Sequence, residues 1–280
     1  DGWKNTYKEA SNEIVWVVKF NNDQDWSNSN HNGNRFIVDL GMRNVTAYAP
    51  YGNGWGQAPI TQAAESKFLD NDTRKDATII DAKSIGAFDA QASTDCMDYT
   101  GFTNKKYCPL IFTDGTSIAA YQASAEISGA NFQTSQDQDW ILMRYSDVLL
   151  MAAELGSPNA TRYFNLVRER AYGNTDHDIA GTPTIQQIWD ERRLEFMGEG
   201  IRYFDLRRQG LDAFVTAEVN QATINGKAGG APATVYNNTN AETTASTYQD
   251  ANFRTKRGFF MIPNDQITLS GGVYKQNPGW

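Results

Sequence analysis

Apolar positions recur most regularly between residues 140 and 210. Ile141, Tyr145, Val148, Leu149, Ala152 and Leu155 fall at three- and four-residue steps, which predicts an amphipathic helix over 140–155. Gly156-Ser157-Pro158-Asn159 breaks it, and Asn159 can cap a second helix with Ala160, Tyr163, Phe164, Val167 and Ala171. So short a turn makes the two an αα-hairpin, expected to pack through Val148, Ala152, Phe164 and Val167. Thr182-Pro183 suits the start of a third helix carrying Ile185, Ile188, Trp189 and Phe196. Gly198 and Gly200 punctuate its end, and Ile201 to Leu211 reads as a fourth helical piece.

Outside this stretch the periodicity fails. Ile14 to Val18, IVWVV, is short and β-rich and predicts a buried strand. Its apolar neighbours assign Trp16 to the core, as they do Trp140 and Trp189. Residues 66–82 predict a short helix and an extended piece with Asp72 and Arg74 in the turn; Tyr107 to Phe112 predicts a strand. A strand-like run ends at Ile262-Pro263, after a long polar stretch over 225–250 of a kind that is usually functional or mobile. Residues 21–62 place Trp26, Tyr48, Tyr51 and Trp55 among Asn, Gly and Pro, which is loop chemistry.

Composition narrows the classes. With 280 residues, 40% hydrophobic and 21% charged, the chain is globular and holds one large domain or two ordinary ones. Its longest uncharged apolar run, Val148 to Ala153, falls far short of the roughly 20 residues of a membrane-spanning helix. A net charge of −8 without a basic stripe excludes a nucleic-acid partner and disfavours anionic membrane surfaces. The start, Asp1-Gly2-Trp3-Lys4, has no signal-peptide features, so such a leader is already removed or was never part of this chain. Cys96 and Cys108 bracket a polar loop; they can close a small disulfide in an oxidising compartment, or remain two unrelated thiols. With only His31 and His177 far away, they do not make a zinc site.

Three constellations carry candidate chemistry. Glu191, Glu195 and Glu199 lie on one helix face, where paired carboxylates can hydrolyse glycosides. Arginines are interleaved with them, nine basic against ten acidic residues over 140–210, and such alternation favours a structural ion-pair lattice. A nucleophilic triad and a phosphate loop lack their motifs. The third is the set of loop aromatics. A pyranose has an apolar C–H face and a hydroxyl rim, so a ring flanked by amides can hold it. Trp26 with Asn28 fits, as does Trp55 with Asn53, Tyr48 and Tyr51; the alternative is that each ring plugs its loop onto the core. Asp23, Gln24, Asp25, Asn28 and Asn30 allow a calcium reading without an EF-hand pattern; otherwise no cofactor is expected.

The segment Arg144-Tyr145-Ser146-Asp147-Val148-Leu149-Leu150-Met151-Ala152-Ala153-Glu154 resembles the RY-x-DVLLMxAE helix of the SusD/RagB family of outer-membrane nutrient-binding lipoproteins. Asn165 to Ala171 is similar to that family's LN-x-VR-x-RA helix, and Glu191 to Arg208 to its ERRLEF…EGxRxFDLRR signature. Asp72 and Arg74 resemble its D-P-R turn with Thr73 in place of Pro, and Ile262-Pro263 and Gln276 to Trp280 follow in order. The resemblance implies a mainly α fold, with tetratricopeptide-like helix hairpins packed against an irregular, loop-rich region with a few short strands. It implies a non-catalytic surface protein that binds oligosaccharide, in some members peptide, and caps a SusC-like TonB-dependent transporter on the outer face of the outer membrane. Members are usually far longer. The chain would then be the C-terminal part of one domain: 1–136 the loop-rich ligand side, 137–215 the helical core, 216–280 a long loop and tail. The lipid anchor would lie outside it. The family's charges recur across ligand preferences, which supports the scaffold reading of Glu191, Glu195 and Glu199.

Overall fold

A computed structural model of the chain describes residues 12–21, 33–43, 48–87, 100–118, 132–214 and 253–280. Trp26, Asn28, the calcium candidates, Cys96 and the 225–250 stretch lie outside them.

The helical core follows the predicted hairpin with a later start. Trp140–Arg144 is a strand (β4), paired antiparallel with Ile14–Val18 (β1). The helix begins only at Tyr145 and runs to Glu154 (α4). Ile141 and Tyr145 fit a helical step by spacing, yet the IVWVV run offers WILM an apolar strand partner and pairing wins. Ala160–Tyr172 (α5) packs on α4, and its chain leaves through Gly173 in the left-handed conformation. Phe164 and Val167 are buried as expected, but their partners on α4 are Leu149, Leu150 and Ala153 rather than Val148 and Ala152. Those three face inward, and Leu155, just past the helix, is 87% exposed. Ile185–Glu195 (α6) starts two residues beyond Pro183. Thr184 caps it in a reciprocal box with Gln187. Ile188 and Phe196 complete the core, and Arg202–Gln209 (α7) and Leu211–Phe214 (α8) follow.

The first half is irregular, as its composition suggests. Arg35–Leu40 (α1), Gln62–Glu65 (α2) and Thr73–Thr78 (α3) are short helices, α3 capped by Asp72. Ile79–Asp81 (β2) pairs antiparallel with Phe102–Asn104 (β3). Tyr107 to Phe112 is not a continuous strand. Leu110 and Ile111 make isolated bridges, and Cys108 is buried with Sγ donating to the Lys105 carbonyl at 3.5 Å. Residues 259–263 are irregular too, and Pro263 caps a closing helix, Asn264–Leu269 (α9).

All three tryptophans assigned to the core depart from that assignment. Trp16 is 62% exposed: β1 belongs to a sheet of two strands, so its apolar side chains outnumber the buried positions the sheet can give them. Trp140 and Trp189 are half-buried; Trp140 stacks on Tyr107 at 4.4 Å, and Trp189 donates its indole N–H to Glu154 at 3.2 Å. Among the described residues no helix is long and apolar enough to cross a membrane.

Candidate functional site

The glutamate face is committed to structure. Glu191, Glu195 and Glu199 are all buried. Arg74 Nη1 donates to Glu191 at 2.5 Å and to Glu195 at 3.3 Å, and its Nη2 to Asp72 at 2.6 Å. Arg144 reaches Glu195 at 2.5 Å and Glu199 at 2.8 Å. Arg168 pairs with Glu191, and Arg170 with Glu195 and Glu13. Lys106 donates to Glu199 at 2.6 Å. Arg192 joins Asp147 to Asp205. Burial alone would raise the Glu195 carboxyl, but Arg144, Arg170, Arg74 and Lys106 outweigh it and hold the group well below the usual range. A general acid needs the opposite shift. Among the described residues no cluster of His, Cys, Asp and Glu is arranged to hold a metal.

The loop aromatics part company. Tyr48 and Tyr51 bridge to each other across the cis Ala49–Pro50 bond. They pack half-buried against Met42, Ile80, Ala82, Ala87 and Cys108, so much of their surface serves the core. Trp55 stays 37% exposed, with Asn53 half-buried two residues before it. Its loop is nonetheless fixed. Trp55 N–H donates to the Val38 carbonyl at 2.8 Å, Gly56 to Gly41 at 2.9 Å and Gln57 to Asp39 at 2.8 Å. The GNGWG sequence permits this clamp, since a Cβ on Gly54 would lie 2.4 Å from the Val38 carbonyl oxygen. A rigid strip thus presents the ring, with the Arg43 guanidinium 5.2 Å from its centroid.

The same strip ends at a groove. Ala58, a non-glycine residue at φ 52, forms one wall of a cavity of about 600 Å³. Phe36 and Leu40 of α1, Trp140 and Leu142 of β4, and Gly198 and Gly200 line it, with the Phe36 and Trp140 rings packed at 4.8 Å between centroids. Gly200 is required here: its φ is +84, and a Cβ would meet the Trp140 ring at 3.1 Å. Asn104 brings an amide, but its nitrogen already donates to the Gly198 carbonyl at 2.7 Å. The groove was not foreseen in sequence. Phe36 and Leu40 share a face at i and i+4, but the helix carrying them is only six residues long.

Hairpin, charge lattice and loop-rich side together make a mainly α, SusD-like fold. The sequence model of the SusD family matches residues 12–280, and the chain belongs to that family. SusD-like protein P2 of Formosa agariphila is 30% identical over 172 residues, which is 56% of this chain and 32% of that protein. Surface glycan-binding protein A from Bacteroides thetaiotaomicron superposes with a TM-score of 0.65 at 25% identity, covering 98% of this chain and 54% of that one. Its complex with laminarihexaose also gives 0.65 at 25% identity, covering 95% and 52%. The chain therefore spans about half the length of these structures and aligns with about a third of the Formosa protein.

Proposed function

We propose that the chain belongs to a surface lipoprotein of the outer membrane that captures oligosaccharides and passes them to a SusC-like TonB-dependent transporter. The observation that carries this reading is Trp55, a large ring held half-exposed on a clamped loop among amides. An exposed ring fixed in advance stacks a sugar with little loss of conformational freedom. The solved relative bound to laminarihexaose supports the ligand class. Nothing in the reading asks for catalysis, because Glu191, Glu195 and Glu199 are saturated by cations.

Calorimetric titration with laminarihexaose tests it. Binding in the micromolar to millimolar range is expected. Trp55→Ala should weaken it about tenfold, the loss of a contact of about 1–1.5 kcal/mol. The melting temperature should barely move, because the loop is fixed by backbone bonds. If Trp55→Ala unfolds the chain without a specific binding defect, the ring is a core plug. Excess EDTA should leave the affinity unchanged; its loss would point to calcium at Asp23, Asp25, Asn28 and Asn30.

A further inference from the structure

Arg43 differs from the arginines of the helical core. Arg74 has three acidic partners, and Arg144 and Arg192 have two each. Arg43 pairs with no carboxylate among the described residues. A guanidinium carries five N–H donors. The side-chain hydrogen bond it makes is a long one, from Nη1 to the Trp55 carbonyl at 3.5 Å, and its Nε has no partner. Asp39, on the neighbouring helix, is taken by Arg35 at 3.6 Å. In a chain of net charge −8, this cation is held against the candidate ligand ring with most of its donors unused.

We propose that Arg43 and Trp55 together form a subsite for an anionic substituent, a carboxylate or a sulfate, on a sugar. The inference rests on the glycan-binding reading and narrows its ligand class. Arg43 covers part of the indole, so a pyranose stacks on the part left exposed. A carboxylate or sulfate at the edge of that pyranose then reaches the guanidinium, which lies over the ring 5.2 Å from its centroid. Arginine forks suit both anions, and charge-assisted bonds are roughly twice as strong as neutral ones. A neutral hydroxyl gains much less, since water serves it nearly as well. The overall negative charge opposes an acidic glycan only at long range. At physiological ionic strength that repulsion is screened beyond about 8 Å, whereas a direct contact is screened far less.

The test titrates the whole chain with three probes at physiological salt: laminarihexaose, an oligogalacturonate and a sulfated carrageenan oligosaccharide. At least one anionic probe should bind about tenfold tighter than laminarihexaose. Arg43→Gln should erase that preference while changing laminarihexaose affinity less than about twofold, and Arg43→Lys should retain part of it. A preference confined to the galacturonate assigns a carboxylate; one confined to the carrageenan assigns a sulfate. Arg43→Gln weakening all three probes alike, in a chain with unchanged melting temperature, would overturn the subsite and leave Arg43 a support for Trp55. Laminarihexaose binding that depends on Trp55 without any anionic preference would overturn this inference alone. Failure of the wild-type chain to bind any probe would remove the glycan reading and the subsite together.

Discussion

Glu195 shows what the interleaved run of acids and arginines does. Its carboxylate is buried among Arg74, Arg144 and Arg170, which come from three separate stretches of chain. Glu195→Gln would leave those cations under-compensated, and a cost of about 3–5 kcal/mol in urea denaturation is expected. Lys106→Met should cost less, because Arg144 still donates to Glu199 through Nε at 3.0 Å and Nη2 at 2.8 Å. Since the folded-state pKa of Glu195 is depressed, its contribution is complete above the ordinary glutamate value of 4.5 and falls away as pH drops below it. Stability measured from pH 7 down to pH 3 should therefore decline more steeply in wild type than in Glu195→Gln. The i, i+4 spacing of Glu191 and Glu195 on α6 was legible in sequence, and so was the arginine interleaving that argued against catalysis; Glu199, read onto the same helix face, instead lies in the turn beyond the helix end at Glu195. Arg74 and Lys106 were not, because they reach this face from about a hundred positions away and no local pattern records such a meeting.

At the scale of elements, legibility followed local chemistry. The break at Gly156-Ser157-Pro158-Asn159 fixed the hairpin, and α5 forms over the predicted residues. Phe164→Ala should cost about 3–5 kcal/mol, since that ring is buried between α4 and α6. For α6 the capping box set the start more firmly than Pro183 did. Thr184→Ala should cost about 1 kcal/mol and lower the melting temperature by about 2–4 °C. What stayed illegible was pairing. Whether WILM joins a helix or a strand depends on IVWVV more than a hundred residues earlier. Trp16 failed for a related reason: an apolar sequence states a preference for burial, but the partners that could satisfy it belong to the whole fold.

The whole molecule combines a charge-locked interior with exposed apolar side chains, including Trp16, Leu155, Phe204 and Phe260. Tyr203 joins Phe204 and Phe260 at ring-centroid distances of 5.4 and 5.7 Å. Contiguous apolar surface of this kind favours contact with other polypeptide, and the isolated chain should bind a hydrophobic dye and self-associate at micromolar concentration. Leu155→Glu with Phe260→Glu should reduce both, by fluorescence and light scattering, without lowering the melting temperature. The helical half and the Trp55 loop were visible in advance; the groove emerges where α1, β4 and the Gly198–Gly200 turn meet, and the clamp where the Trp55 loop returns to the end of α1. The charge lattice also bears on time. Arg74 and Glu191 are 117 positions apart and Lys106 and Glu199 are 93 apart, so their contacts close only after much of the chain is in place. Interactions absent from the transition state act on unfolding rather than folding. In stopped-flow experiments Glu195→Gln should leave the refolding rate nearly unchanged and accelerate unfolding by a factor of a hundred or more, roughly the factor its 3–5 kcal/mol cost implies. The lattice then sets how long the folded chain survives, not how quickly it forms.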